Sequence, residues 1–426
     1  MPDRTEARGS GQAGHNPLAN RATRDSEALA LRIMEMPVVQ QAAQAALGKW
    51  KSIVGHDADA QAWSIFDAAM REFVFHHVHK SVCADPNYPA IVRTQMMPHN
   101  WFGMQVPGSR LAGDNPDTIY HLSPIDGAAR YEIDVRRLSP PAADLTFTVT
   151  GNSGFTRPLS QTEANTMVAD PDGRFTISVG PEPAEGRPNH ITTQRGAKFL
   201  FIRDTQNDWR EIPHALEIRR LDPPTAPPRT IDELALDAAG LLMDDIAEAF
   251  WGMRIPFNFP PNVLGAPFGT AAIGGLATQS ISYSHLQIAD DEAFVATFND
   301  AGAACLGAVL FHFWLNSIDY ADRLASFNRA QSVANPDGTY SYVVSARDPG
   351  IHNWLDTGGI RQVYLCRRWQ GLPHGAAALT TATGRLVKFD ELDNILPDTI
   401  RRITPDERIA QLVDRRASYE ARFATA

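Results

Sequence analysis

The feature that most limits what this chain can fold into is a repeat. The stretch "VADPDGRFTISVG" from Val168 is matched by "VANPDGTYSYVVS" from Val333, placing Asp172 over Asp337, Gly173 over Gly338, Phe175 over Tyr340 and Val179 over Val344. The separation is 165 positions (337 − 172 = 165). Upstream, "LTFTVTGNSG" from Leu145 falls on "LFHFWLNSID" from Leu310, and "LSQTEANTMV" falls on "LASFNRAQSV". Downstream, "NHITTQRGAKFLFIRD" from Asn189 parallels "HNWLDTGGIRQVYLCRR" from His352, and His121 aligns with His285 (285 − 121 = 164). A chain that writes one pattern twice builds one unit twice. The two units cover about 114–222 and 279–373.

Both units read as β. Leu145, Phe147 and Val149, then Phe175, Ile177 and Val179, alternate with polar residues at period two, as do Val309, Phe311, Phe313 and Leu315 in the second unit. Each Pro-Asp-Gly combines a preset φ, a carboxylate that caps its own turn and a glycine free to take positive φ, which is hairpin chemistry. The expected class is therefore mainly β with flanking α-helices, two tandem jelly-roll or sandwich-like units from an internal repeat.

Helices are expected around these units. From Asp57 to His79, the residues Trp63, Phe66, Met70, Phe73 and His77 fall at helical spacing. Thr230 with Glu233 forms a capping box, and Thr404-Pro405-Asp406-Glu407 opens a terminal helix expected to pack through Ile409, Leu412 and Val413. "LDPPTAPPR" from Leu221 reads as a linker and "GAPFGTAAIGG" from Gly265 as a flexible crossing. The expected organisation is a disordered polar leader (1–25), a helical region (26–97), the first β unit (98–222), a linker and helix (223–278), the second β unit (279–375), and a tail with the terminal helix (376–426).

Composition removes several classes of partner. The balance of 39 basic against 49 acidic residues gives −10 with no basic block, so neither a nucleic acid nor an anionic membrane is an expected partner. Cys83, Cys305 and Cys366 form no C-x-x-C pair, which fits a reducing, cytoplasmic setting. The leader has no apolar core of the kind an export signal needs, and no apolar run approaches the ~18 residues of a membrane span. There is no G-x-G-x-x-G after a strand, no phosphate-binding P-loop and no G-x-S-x-G elbow, so no organic cofactor is expected.

Two stretches concentrate reactive side chains. "DPGIHNWLDTGG", from Asp348 to Gly359, occupies in unit two the place of "NHITTQRG" in unit one. Both have a His/Asn pair, expected to bind local backbone and fix the turn, whereas Trp354 and Asp356 occur only in unit two and are the better ligand candidates. "PHNWFGMQVPGSRLAGDNPDTIYH", from Pro98 to His121, carries Trp101, Arg110, Asp114, Asn115, Asp117, Tyr120 and His121 in what reads as one irregular loop. Its Asp-Asn-Pro-Asp is equally a favourable turn. "HHVHK" places His76 and His79 at metal-ligand spacing, but His77 extends an apolar stripe and no acidic third ligand is at a telling distance, so no metal is assigned.

The combination "NPDTIY", "DPDGRFTISV" and "HNWLDTGGIRQVYLCRRWQG" resembles a bacterial family, domain of unknown function 1214, often coupled to a relative numbered 1254. The similarity runs from about residue 110 to 373, with Asn353-Trp354-Leu355 its most specific piece. The resemblance implies paired jelly-roll-like β units and no established reaction. Many members continue Asn-Trp-Leu with proline where this chain has Asp356, which points to subgroup chemistry.

The expectation from these stretches is a cofactor-independent hydrolase or lyase acting on a carbohydrate-like or other small cyclic organic substrate, in a cleft between the β units walled by the 98–121 and 348–359 loops. Asp356 would be general acid or base with His352 as partner, and Asp114 or Asp117 the second carboxylate. Arg110, Asn353, Asn115, Tyr120 and His121 would bind polar groups, with Trp101 or Trp354 stacking on the substrate. The alternative is a non-catalytic ligand-binding or assembly protein, possibly a homo-oligomer, with Trp354 and Trp369 buried against another chain.

Overall fold

The structure is a computed structural model that describes residues 16–139, 144–152, 157–246, 260–273 and 275–425. Two β-sandwiches follow one another, each built from a five-stranded and a four-stranded sheet. In spatial order the first five-stranded sheet runs Val92–Thr94, Thr118–Pro124, Phe199–Thr205, Asp144–Thr150, Pro158–Glu163. Its counterpart runs Phe268–Gly269, Ser280–Gln287, Gln362–Gln370, Cys305–Phe311, Ser326–Asn328, the same order of chain segments. The four-stranded sheets match likewise: Ala215–Arg220, Tyr131–Arg136, Arg174–Gly180, His190–Thr192 against Ala382–Lys388, Glu292–Phe298, Tyr340–Ser345, Trp354–Asp356. In each, the last strand joins in parallel.

Strand register refines the alignment. Tyr120 faces Arg203 and Tyr283 faces Cys366, so the central strands repeat at 163 positions (283 − 120 = 366 − 203 = 163). The Pro-Asp-Gly turns keep the 165 separation, with Gly173 and Gly338 both at positive φ. The two-residue difference is absorbed in loops and keeps every side chain on its face, because strands alternate with period two. His121 is the exception: it belongs over Ser284, not His285, and points to the opposite side of its sheet. In the second unit, Leu306, Ala308 and Leu310 face the sandwich interior. Val309 and Phe311 face a bundle of helices instead, while Phe313 and Leu315 lie in the turn beyond the strand.

That bundle consists of Arg21–Met34, Pro37–Val54, Phe66–Val82 and Ile231–Asp244, closing over the outer face of the second unit's five-stranded sheet around Trp50, Phe73, Val309, Phe311 and Tyr364. Asn20 caps the first helix by accepting from Thr23 N, so ordered structure begins inside the stretch read as a leader; residues 1–15 lie outside the described ones. The stretch from Asp57 divides at Ile65 into Ala60–Ser64 and Phe66–Val82. The capping box at Thr230 and Glu233 forms, and Thr404 with Glu407 makes a second one. The Gly265 segment supplies the edge strand Phe268–Gly269, and Ala382–Lys388 completes the second sandwich, so that unit reaches from 268 to 388. No described helix is long and apolar enough to cross a membrane.

In the terminal helix Pro405–Glu420, Leu412 packs against the core of the second sandwich as expected, but its two neighbours in the expected stripe do not. Ile409 and Val413 are 60% and 63% exposed, whereas Arg408, Arg415 and, just beyond the helix, Arg422 are buried. Seven-residue spacing puts the three arginines on one side, where they meet aromatic faces: Arg408 over Trp354, Arg415 and Arg422 over Trp209.

Candidate functional site

The geometry separates residues that hold the two units together from those that line a cavity. In the 98–121 segment, Trp101 donates its indole N–H to buried Glu27. Arg110 is clamped by Glu72 through Nε (2.9 Å) and Nη2 (2.5 Å), and gives Nη1 to Ser317 O. Asp114 accepts from Ser317 N (2.9 Å) and Oγ (2.7 Å). Asn115 donates to Thr118 Oγ1 and, across the units, to Gln370 Oε1. Asp117 accepts the Trp209 indole N–H at 2.8 Å. Burial raises the pKa of Asp114, with Arg110 opposing, and that of Asp117, with Trp209 opposing. Tyr120 and His121 lie within a strand; Tyr120 stacks on Phe201, and His121 enters the first sandwich near Asp204 and His214.

In the 348–359 segment, Asn353 is a clamp: Oδ1 accepts from Val333 N (2.9 Å), and Nδ2 donates to Val333 O (2.8 Å) and Ser341 O (3.0 Å). Asn189 makes the same pair of bonds to Val168 N and O in unit one. The shared asparagine is thus structural in both copies. Asp356 pairs with Arg323 at 3.0 Å and accepts from Gly358 N at 2.7 Å. Trp354 gives its indole N–H to Ser345 O and is covered by Arg408, while Trp369 is fully buried inside the second sandwich. Trp369 is therefore held within its own chain, while Trp354 is half-buried beneath Arg408.

One cleft of about 360 Å³ opens where the units and the terminal helix converge. Trp209 and Arg210 come from unit one, Phe327, Gln331, Ser332 and His352 from unit two, and Gln411, Asp414 and Arg415 from the helix. Of the residues singled out in the sequence, His352 lines it; Asp117 stands behind Trp209; Asp114, Arg110, Trp101 and Asp356 do not line it. Trp209, Ser332 and Arg415 carried no sequence signal, because each comes from a turn or helix whose neighbours are set by tertiary packing. The Trp209 ring is fixed by Asp117 at its edge and by the Arg415 and Arg422 guanidinium groups, 4.5 and 4.7 Å from its centre. Burial draws Arg415 down to about 9, with Asp117 working in the opposite direction.

His352 has a defined protonation state. Because Asn353 Nδ2 is committed to two carbonyls, its Oδ1 faces the His352 ring, and His352 Nδ1 must donate to it (3.1 Å). The lone pair is then on Nε2. Burial lowers the His352 pKa, Asn353 works upward, and Arg408 and Arg401 add to the depression, which favours the neutral imidazole. In unit one, by contrast, His190 is consumed at both nitrogens by Ser178 Oγ and Glu182 O.

The histidines of "HHVHK" point to separate partners: His76 to Ser109 O, His77 to Phe73 O and Asp245, His79 to Ser26 Oγ. A larger cleft of about 1890 Å³ flanks the edge strand Ala215–Arg220 and gathers none of these groups.

The model of the family described as Protein of unknown function (DUF1214) matches residues 121–204, within the first unit. A crystal structure of an uncharacterized protein from Burkholderia cenocepacia is similar in fold (TM-score 0.69, 23% identity), covering 85% of this chain and 100% of its own. A protein from Vibrio parahaemolyticus matches with a TM-score of 0.44 and 13% identity over 65% of this chain and 92% of its own. No curated protein matches.

Proposed function

We propose that this chain is a cofactor-independent enzyme, a hydrolase or lyase, acting on a small uncharged carbohydrate-like or cyclic organic molecule in the 360 Å³ cleft between its β units. The observation that carries the reading is His352: a neutral imidazole of fixed tautomer, with Nε2 able to take a proton, in the wall of a cavity of ligand size. Trp209 lines the cleft as a buried support, its ring covered by the Arg415 and Arg422 guanidinium groups rather than open for stacking. Wall charges cancel, with Asp208, Glu407 and Asp414 against Arg210, Arg401 and Arg415, which suits a neutral substrate. In this reading His352 is the base, Asp117 positions Trp209, and Asp356 braces the strand end. A cytoplasmic setting goes with the free, buried state of Cys83, Cys305 and Cys366.

A panel of 4-nitrophenyl glycosides and esters tests the assignment. With any substrate turned over, His352→Gln should lose about 100-fold or more in kcat, as loss of a general base does, while Asp356→Asn stays near wild type. Undiminished turnover in His352→Gln would sink it.

A further inference from the structure

We infer that the cleft selects its ligand by hydrogen-bond donors, accepting neutral polyols or amino alcohols and turning away anions despite the arginines in its wall. This rests on reading the cleft as the substrate site. The second observation is a chain of hydrogen bonds beneath Ser332. Arg367 is fully buried in the second sandwich, boxed by Phe298, Tyr340, Tyr342 and Trp369, and its Nη1 donates to Tyr342 Oη at 3.0 Å. Tyr342 Oη lies 2.8 Å from Ser332 Oγ, and Ser332 Oγ donates to Asn328 O at 2.6 Å.

The direction of this chain is forced at both ends. A guanidinium has no acceptor and a carbonyl no donor. Ser332 has spent its proton on Asn328 O, so Tyr342 must donate to Ser332, and Ser332 Oγ has only lone-pair density left for the cleft it lines. His352 reaches the same state by another route, through Asn353. The two acceptors are neighbours, since Val333, next to Ser332, is bonded at both N and O to Asn353, next to His352.

The positive charges nearby do not reverse this polarity. Arg210 is paired with Asp208 (2.6 Å), Arg401 with Glu407 (2.7 Å), and Arg415 is bonded to Tyr320 O and Ser326 Oγ. A phosphate or carboxylate placed against Ser332 and His352 would meet lone pairs with lone pairs; a diol or amino alcohol would supply the two missing protons.

The test uses the full chain and follows the His352 ring nitrogens by NMR while adding myo-inositol, glucose or xylose, each run against its monophosphate. At least one neutral compound should move the Nε2 resonance and its phosphate should not. Ser332→Ala should weaken the neutral ligand about tenfold, the scale of one lost hydrogen bond. Since that variant also removes an acceptor from Tyr342, the companion is His352→Gln, which leaves the chain beneath Ser332 intact; lacking the reporting ring, it is followed by calorimetry and should weaken the same neutral ligand about tenfold. Phosphates that move the resonance as strongly as the neutral compounds would overturn donor selection while leaving the cleft as the site. No response to any of the six compounds would overturn the selection of polyols, and the cleft itself would then be decided by the wider thermal-shift screen against glycosides, phenolics and terpenoids. Unchanged affinity in Ser332→Ala would remove Ser332 from the argument.

Discussion

At the scale of residues, the duplication separates what a position is for from what type it carries. Asn189 and Asn353 make the same two bonds to Val168 and Val333, but only the second pair is shielded from water, so Asn353→Ala should cost about 1–3 kcal/mol in urea unfolding, the range for stranded buried partners, and Asn189→Ala about 1 kcal/mol or less. A catalytic Asn353 would instead show lost turnover at full stability. The interior position 204, which corresponds to 367 (204 + 163 = 367), holds Asp204 in one unit and Arg367 in the other. Burial works to raise Asp204, but the bonded His214 outweighs it and Asp204 lies below the usual carboxylate range; His121 beside it is lowered by burial to about 4. A histidine whose folded pKa lies below its unfolded value of about 6.5 contributes stability above that value and loses it as pH falls toward 4. The stability gap between wild type and His121→Gln should therefore shrink between pH 7 and pH 4.5, by at most about 1.4 kcal/mol per pH unit; a gap that widens on acidification would contradict this. The asparagine clamp was legible because both units repeat it. The state of His352 was not, since it depends on which carbonyls Asn353 reaches.

At the scale of elements, the strands and both helix caps could be read because period-two alternation and cap chemistry are local. The terminal helix shows where local reading stops: Ile409 and Val413 look like its buried stripe, yet the aromatic rings it meets, Trp209 and Trp354, match guanidinium groups better than methyl groups. Arg415→Ala should cost about 2–4 kcal/mol by loss of its stacking and bonds to Tyr320 O and Ser326 Oγ, in the range for breaking a buried polar network. Ile409→Ser and Val413→Ser should each lie within about 0.5 kcal/mol of wild type. Thermal melts of the three variants would decide, and the reverse ranking would mean that the helix packs by its apolar side. The strand Cys305–Phe311 misled for a related reason: buried on both faces, it offers two apolar alternations, and its sequence cannot tell the sandwich interior from the face under the helices.

At the scale of the whole molecule, the two sandwiches meet through polar groups that the sequence placed in one loop but could not assign to an interface. Gly307 passes so close to the first unit that a Cβ there would lie 3.1 Å from Asp117 Oδ2. Gly307→Val should therefore lower stability by about 1–3 kcal/mol through overpacking, with far-UV circular dichroism still reporting both sandwiches; an unchanged melting point would mean that the junction yields. The same junction, through Asp117 and Trp209, forms one wall of the cleft, so the duplication creates a cavity that neither unit has alone. The central claim is that this cleft, and not the Asp356 turn, is where a small molecule binds. The most direct measurement is a thermal-shift screen of wild type, His352→Gln and Asp356→Asn against neutral polyols, glycosides, phenolics and terpenoids, since a ligand raises the midpoint only where it binds the folded state. The account predicts a compound that stabilises wild type and Asp356→Asn alike and loses its effect in His352→Gln. A shift that survives His352→Gln but disappears in Asp356→Asn would contradict it.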